Sequence, residues 1–371
     1  MRTMRVYLVG GAVRDRLLGL PVRERDWVVV GAEPGELERA GFLAVGREFP
    51  VFLHPQTKEE YALARLERKT APGYRGFSTQ FSPDVTLEED LRRRDLTINA
   101  MAETDGGELI DPYGGQADLA ARVLRHVSDA FAEDPVRILR VARFAARLAP
   151  LGFKLAPETA ALMRRMVDNG EINSLVSERV WREMQRALGE SHPEEFFQVL
   201  QDCGALAVLL PELDWRASER ATMQRAARLS SEPSVRFAAL LTDAAPQATT
   251  ALCERLRVPN DYRELALLTA RLWRRIAAAD ALDAGGVLEL LEAADAFRRP
   301  DRFELLLRAT QARSASDETL HAALAVALVT ATGVTLPPEQ IAQLKGIAIA
   351  AAYREARIER LRQLQSERRK S

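Results

Sequence analysis

The stretch Val6-Tyr7-Leu8-Val9-Gly10-Gly11-Ala12-Val13-Arg14-Asp15, answered by Glu24-Arg25-Asp26-Trp27, decides how this chain is read. An apolar run breaks at two glycines, a helical segment opens with Arg14, and two carboxylates introduce the next apolar run. Glycine lets the backbone approach a phosphate oxygen because no Cβ stands in the way. The free N–H groups of a helix start and a guanidinium both suit an anion. Two carboxylates with one residue between them on a strand point to the same side and can share hard cations. The pattern fits a nucleoside triphosphate with Mg2+.

A chain of 371 residues exceeds one ordinary compact domain, so two or three are expected. With 47% hydrophobic and 28% charged residues the composition is that of a globular protein. No run approaches the roughly eighteen apolar residues of a membrane span. The N-terminal Met1-Arg2-Thr3-Met4-Arg5 leads directly into a strand pattern with no signal-peptide features, and a cytoplasmic setting is expected. Cys203 and Cys253 lie in helical patterns, and neither has a cysteine or histidine partner at metal-ligand spacing, which argues against zinc. The net charge of −1 gives no bulk attraction for nucleic acid. Arginine supplies nearly all the positive charge and suits bidentate contacts with phosphates and bases. A genome rich in G and C also raises arginine content, so only local clusters count as evidence.

Along the first part of the chain, strand patterns at residues 6–10, 27–30, 51–54 and 60–65 alternate with helical patterns at 13–20 and 33–40. Glu60, Ala62 and Ala64 share one strand face, which makes Glu60 either a third acid at the site or an edge charge facing water. Residues 67–86 carry Arg68, Lys69, Gly73, Tyr74, Arg75 and Phe77. This basic, aromatic loop suits a mobile element near nucleotides or RNA, with plain disorder as the competing reading. Leu87 begins a helix expected to run through Arg92-Arg93-Arg94-Asp95 to Asn99, and Asp111-Pro112-Tyr113-Gly114-Gly115 reads as a hinge or packing corner.

The second strong stretch is Glu133-Asp134-Pro135-Val136-Arg137, continuing to Arg147. Asp134 before Pro135 is a good helix start. Arg137, Arg140, Arg143 and Arg147 recur at three- and four-residue spacing as one stripe, opposite an apolar face of Ile138, Leu139, Val141, Ala142 and Ala145. No acid follows Asp134 within the stretch, so the stripe is not neutralised locally. Asp134 and Arg137 together present an acceptor and a donor fork to a base edge; their plain alternatives are cap and surface charge. From residue 156 onward the pattern is almost wholly helical, with Trp181 expected in the core and a basic tail over 360–371.

These pieces, in this order, resemble the bacterial class II tRNA nucleotidyltransferases, the CCA-adding enzymes of the polymerase β nucleotidyltransferase superfamily. The matching segments are Leu8-Val9-Gly10-Gly11-Ala12-Val13-Arg14-Asp15, Asp26-Trp27-Val28-Val29-Val30-Gly31, Arg93-Arg94-Asp95-Leu96-Thr97-Ile98-Asn99-Ala100, Asp111-Pro112-Tyr113-Gly114-Gly115, Glu133-Asp134-Pro135-Val136-Arg137 and Glu178-Arg179-Val180-Trp181. A lone GG turn is a weak signal, whereas the ordered series is specific. The resemblance implies an α+β fold: a mixed-sheet nucleotidyltransferase head (1–125), a helical neck with the nucleobase template (126–210), and a helical body and tail for tRNA (211–371). It implies that Gly10, Gly11 and Arg14 hold the triphosphate and that Glu24 and Asp26 bind Mg2+. Arg94 and Asp95 would lie beside the sugar and phosphates, Asp134 and Arg137 would template C or A, and Arg140 and Arg143 would also contact nucleotide. The loop at 68–77 matches the one associated in this family with the switch from CTP to ATP. The expected partners are CTP, ATP and the acceptor arm and 3′ end of tRNA, with no membrane, and the expected state is a monomer.

Two departures from the family pattern matter. The metal pair is usually Asp-x-Asp, and here its first acid is Glu24. Relatives with a C-terminal phosphohydrolase carry a His-Asp pair, and here Thr242 stands before Asp243 in the corresponding segment, so no such hydrolase activity is expected. A partial CC- or A-adding enzyme, a poly(A) polymerase and a non-catalytic tRNA-binding module share enough of these motifs to stand as alternatives.

Overall fold

The computed structural model describes residues 4–45, 51–69, 77–314 and 318–368. The chain divides into two compact units, residues 1–211 and 212–371.

The first unit begins with β1 (Arg5–Val9), α1 (Gly11–Leu17), β2 (Asp26–Val30), α2 (Pro34–Arg39), β3 (Leu43–Val45), β4 (Val51–Leu53) and β5 (Glu60–Leu63). Then come β6 (Arg65–Lys69), β7 (Phe77–Phe81), α3 (Leu87–Arg92), β8 (Ala102–Thr104), β9 (Leu109–Ile110) and α4 (Gly115–Ala121). Among the described residues the main sheet has seven strands in the order β3-β4-β5-β2-β1-β8-β9. β1 runs antiparallel to both β2 and β8, while β2 and β5 are parallel, so the sheet is mixed.

The two-residue period of the strands builds two cores. Val9, Val28 and Ala64 face α3 with Leu87 and Leu91, and Val29, Leu63 and Phe52 face α2 with Leu37. Because Asp26 lies two residues before Val28, its carboxylate falls on the α3 face, at the strand end where β1 gives way to Gly10.

Three local expectations change. The segment read as a loop over 67–86 is flanked by the antiparallel hairpin β6–β7, with Arg65 opposite Phe81 and Lys69 opposite Phe77; residues 70–76 of the expected loop lie outside the described residues. The helix expected to continue through Asn99 stops at Arg92, and Thr97–Asn99 forms a separate 3-10 turn. A Thr86–Glu89 capping box starts α3, and Asp90 pairs with Arg93 and Arg94 at its C-terminal end. Glu24, expected on a strand, precedes β2, which opens at Asp26.

Completing this unit are β10 (Val123–Leu124), α5 (Val136–Leu148), β11 (Lys154–Leu155), α6 (Pro157–Asp168), α7 (Ser177–Leu188), α8 (Pro193–Asp202) and α9 (Ala205–Leu209). α5 packs on α7 and α8 through Ile138, Leu139, Val141 and Ala142, all fully buried. Trp181 is buried, as its place in the helix pattern suggested.

The second unit is helical: α10 (Ala217–Leu229), α11 (Pro233–Leu240), α12 (Pro246–Arg255), α13 (Asn260–Ala277), α14 (Ala284–Ala293), α15 (Pro300–Ser314), α16 (Glu318–Thr332), α17 (Pro338–Gln343) and α18 (Ile347–Arg368). The last two divide a continuous helical pattern at Leu344–Gly346, where Gly346 takes φ +56°. α11 packs on α13 and α15 through Val235, Phe237, Leu265 and Phe303. Thr242 is buried and its hydroxyl donates to the carbonyls of Ala238 and Ala239, while Asp243 pairs with Arg274 and Arg313. No group of three or more metal-ligating side chains occurs among the described residues, and no helix is long and apolar enough to cross a membrane.

Candidate active site

Gly10 is the pivot of the site. Its φ of +72° is a conformation that side chains with a Cβ disfavour, and its N–H donates to Met101 O at 3.1 Å. A Cβ on Gly10 would stand 2.7 Å from Arg94 Nη1. The bare backbone therefore lets the Arg94 guanidinium lie directly against the turn.

The pairing of β1 with β2 sets Asp26 opposite Val9, one residue from Gly10, and the pairing of β2 with β5 sets Glu60 beside Asp26. The carboxyl of Asp26 lies above the ordinary carboxylate range. Partial burial raises it most; Arg94 draws it back, Glu24 adds like charge, and Arg140 draws it back again. Two acids that repel one another beneath two cations form a place for a divalent ion and polyphosphate together. The donor set fits Mg2+: two carboxylates leave the remaining positions of an octahedral ion to phosphate oxygens and water.

Arg94 is held from below. Asp90 is completely buried and accepts Arg93 through Nε at 3.1 Å and Nη2 at 2.7 Å, and Arg94 Nη2 at 3.4 Å. Burial would raise the Asp90 carboxyl, but Arg93 and Arg94 outweigh it and hold it below the ordinary range. Arg94 Nε is buried with no hydrogen-bond partner. Of the arginines predicted at the phosphates, Arg94 lies against Gly10 and stays partly exposed.

Arg14 turns the other way. It is 2% exposed, and it donates Nε and Nη2 to Asp15 Oδ1 at 2.9 and 2.7 Å and Nη1 to Asn99 Oδ1 at 2.5 Å. Its guanidinium also lies 5.0 Å from the centre of the Phe144 ring. Burial lowers its pKa, and Asp15 offsets part of that. In this structure Arg14 is a framework cation behind the turn. Gly11, whose Cβ position would meet only Arg14 Nη2 at 3.6 Å, is under no comparable steric demand.

Asp95 sits beneath the same corner. Burial would raise it, but Arg140, together with hydrogen bonds from Asn99, Arg140 and the Leu96 N–H, holds it far below the ordinary carboxylate range. Arg140 Nε reaches Asp95 Oδ2 at 2.7 Å, and the pairing raises the Arg140 pKa.

The arginine stripe of α5, expected to lack local neutralisation, is matched by groups from other elements. Arg143 donates to Glu183 of α7 at 2.7 Å and Arg147 to Asp15 at 2.8 Å. Arg137 is 6% exposed and donates to the carbonyls of Ala130 at 2.7 Å and Arg93 at 2.6 Å. A buried guanidinium requires such partners, and apart from the Ala130 carbonyl, seven residues away, they arrive from 40 to 132 residues away, where no spacing rule reveals them.

Asp134 caps α5 by accepting the Val136 N–H at 3.1 Å. Arg179 of α7 grips both of its carboxylate oxygens, at 3.2 and 2.8 Å. No individual role for Arg179 was legible in the sequence, and its only signal is the Glu178-Arg179-Val180-Trp181 segment itself. Asp90 had none.

Comparison with known proteins agrees with this construction. Residues 6–125 match the family model described as "Poly A polymerase head domain", and residues 152–216 match "Probable RNA and SrmB- binding site of polymerase A". A "Multifunctional CCA protein" of Thioalkalivibrio sulfidiphilus is 57% identical over 83% of this chain and 84% of its own. A "CCA-adding enzyme" of Coxiella burnetii is 50% identical over 97% of this chain and 96% of its own. A CCA-adding enzyme of Thermotoga maritima, solved in complex with tRNA, shares the fold with a TM-score of 0.73 at 20% identity, over 96% of this chain and 87% of that one. With a mixed-sheet head built around Gly10 and Asp26, and half of its residues shared with a curated relative along nearly the whole length, the chain belongs to the CCA-adding enzymes, template-independent nucleotidyltransferases of tRNA.

Proposed function

We propose that this chain adds C, C and A in turn to the 3′ end of tRNA from CTP and ATP, using Glu24 and Asp26 to hold Mg2+ against the nucleotide triphosphate. The observation that carries the reading is the meeting of Asp26, Gly10 and Arg94 at one strand end. Bound there, the metal supplies charge neutralisation at the α-phosphate and acidifies the attacking 3′-hydroxyl. The rest is positioning by the protein. Gly10 and Gly11 offer bare backbone to the phosphates, and the partly exposed Arg94 guanidinium offers its charge. Arg140, anchored through Nε on Asp95, and Arg143 contribute positive charge beside the nucleotide.

On the Watson–Crick edge C and A share an exocyclic amino donor next to a ring-nitrogen acceptor, whereas G and U present a protonated ring nitrogen beside a carbonyl. The Asp134 carboxylate, oriented by Arg179, accepts from that amino group, and Arg137 supplies the complementary donor. A lost complement in a buried site costs about 1–3 kcal/mol, or roughly ten- to hundredfold in selection per contact. The acceptor arm is bound beyond the neck, by the helical body. The protein acts as a cytoplasmic monomer. Its second unit, with Thr242 and an arginine-paired Asp243, lacks metal-dependent phosphatase activity, and turnover of a phosphatase substrate by the purified protein with added divalent metal would contradict that.

The deciding experiment incubates the protein with tRNA lacking CCA and each NTP separately and together. Addition of two C residues with CTP alone, and of the terminal A only when ATP is also present, is the expected result. Stopping at CC with both nucleotides identifies a CC-adding enzyme, and A transfer confined to tRNA already ending in CC identifies an A-adding one. Long A tracts on generic RNA identify a poly(A) polymerase. Asp26→Ala abolishes incorporation while tRNA binding persists; incorporation that survives the substitution removes the metal assignment.

A further inference from the structure

The head is joined to α5 by a closed circuit of side chains. Starting on α5, Arg147 Nη2 donates to Asp15 Oδ2 at 2.8 Å, and the other oxygen of Asp15 accepts Arg14 twice, at 2.9 and 2.7 Å. Arg14 Nη1 passes to Asn99 Oδ1 at 2.5 Å, and Asn99 Nδ2 donates to Asp95 Oδ1 at 2.9 Å. Arg140 Nε donates to Asp95 Oδ2 at 2.7 Å and returns the circuit to α5. Arg140 and Arg147 are seven residues, about two turns, apart and so share a helix face. Phe144 lies between them, its ring 5.0 Å from the Arg14 guanidinium and 5.8 Å from that of Arg140.

Arg14, Asp15, Asp95 and Asn99 are each no more than 5% exposed, so the circuit runs inside the protein. Asp15 is buried, and both of its oxygens are turned to framework arginines. Sliding α5 by one residue would shift it about 1.5 Å and turn it about 100°. That displacement breaks the Arg147 bond to Asp15 and the Arg140 bond to Asp95 together and leaves one oxygen of each buried carboxylate without its cation.

We propose that Asp15 is a positioning residue for nucleotide selection, one that acts through Arg147 and Arg14 and not by touching the nucleotide. Through Arg147 it fixes α5, which carries Asp134 at its start and Arg137 in its first turn; through Arg14 and Asn99 it fixes the corner that carries Gly10 and Arg94. Base contact and phosphate contact are thereby made by one rigid frame. A nucleotide with the wrong base edge cannot be accommodated by a small rotation of α5 while its triphosphate stays in place. This inference rests on the function proposed above.

The test uses the full chain with Arg147→Gln, Arg147→Lys, Asp15→Asn and the double variant Asp15→Asn/Arg147→Gln. Two selection ratios of kcat/KM are measured, CTP over UTP on tRNA ending before CCA and ATP over GTP on tRNA ending in CC, alongside thermal midpoints. Arg147 lies toward the surface end of the circuit, so its variants keep the test available if Asp15→Asn fails to fold. Loss of this charge-assisted bond is expected to lower both ratios about fivefold or more, mainly through tighter apparent KM for the wrong nucleotide, with kcat for CTP within about twofold. Arg147→Lys recovers most of the loss, and the double variant is no less selective than the worse single one. Ratios within twofold of wild type in the Arg147→Gln protein, or additive losses in the double variant, overturn the inference even if the midpoint falls. Absence of incorporation by the wild-type chain would instead overturn the functional reading on which it rests.

Discussion

Adjacent glycines in one motif are usually treated alike, yet Gly10 and Gly11 respond to substitution differently in this structure. For Gly10→Ala the backbone term comes from φ +72° with ψ −125°, a region that costs a residue with a Cβ about 1–3 kcal/mol. The steric term comes from the 2.7 Å approach of the new Cβ to Arg94 Nη1. That atom is the end of a flexible side chain, so it moves, and the clash adds little to the loss of stability. The displacement falls instead on function, because it takes Arg94 off the turn and away from Asp26. A charge-assisted hydrogen bond is worth about 1.5–3 kcal/mol, so kcat/KM for both CTP and ATP should fall roughly ten- to hundredfold. For a unit of this size, about 2 kcal/mol corresponds to a fall of about 4–8 °C in the midpoint. Gly11→Ala meets only an ordinary van der Waals contact at 3.6 Å and places alanine in the first turn of α1, so its midpoint should match or exceed that of the wild type. Differential scanning calorimetry and single-nucleotide incorporation on the two variants provide the check. A Gly10→Ala protein with wild-type melting and wild-type kcat/KM would refute the assignment of Arg94 to the turn, and so would a Gly11→Ala protein destabilised to the same extent.

Two further outcomes follow from the same geometry. Gly115→Ala should destabilise by about 2–3 kcal/mol, because its Cβ would lie 2.5 Å from the Thr97 carbonyl oxygen and 2.8 Å from Met101 Cγ, and backbone cannot swing aside; a urea midpoint unchanged within error would contradict this. Asp95 has its carboxyl depressed by folding, so its contribution to stability is present above the unfolded-state pKa of about 4 and is lost as pH falls below that toward the folded value. Asp95→Asn should therefore be less stable than the wild type at pH 7, with the difference narrowing below about pH 4; a difference that stayed constant or widened on acidification would show that the charge of Asp95 is not what stabilises this corner.

The mixed head and the helical remainder were legible because periodicity reports local burial. Val28 and Val29 alternate between two cores, and the α5 face of Ile138, Leu139, Val141 and Ala142 is buried where the spacing placed it. Asp134 as the cap of α5 was legible for the same local reason. The end of α3 at Arg92 was not, because the residues that follow, Arg93 to Asn99, carry no proline or glycine to mark it. The strand position of Glu24 was misread because Asp-x-Asp spacing presumes a strand that begins before the first acid, and β2 begins at the second. The roles of Asp90, Arg179 and Asp15 were invisible, since each is defined by a partner on another element.

The arginines sharpen the general point. Four of them at three- and four-residue spacing on α5 look like a surface for nucleic acid when the acids of their own helix are the only ones considered. In the folded unit Arg143 meets Glu183, Arg147 meets Asp15, Arg140 meets Asp95, and Arg137 meets two backbone carbonyls. Arg137 and Arg143 are buried, and a buried guanidinium without such partners would cost several kcal/mol, so the buried part of the stripe requires acceptors from outside its own helix. The requirement has a functional consequence. A buried cation whose donors are consumed by the framework, as with Arg14, fixes geometry, whereas a cation gripped on one side and still partly exposed, as with Arg94, presents its charge to a ligand. The division of labour between binding and positioning arginines is therefore set by where the carboxylates Asp15, Asp90 and Asp95 lie, and the acids are the residues whose substitution should expose it.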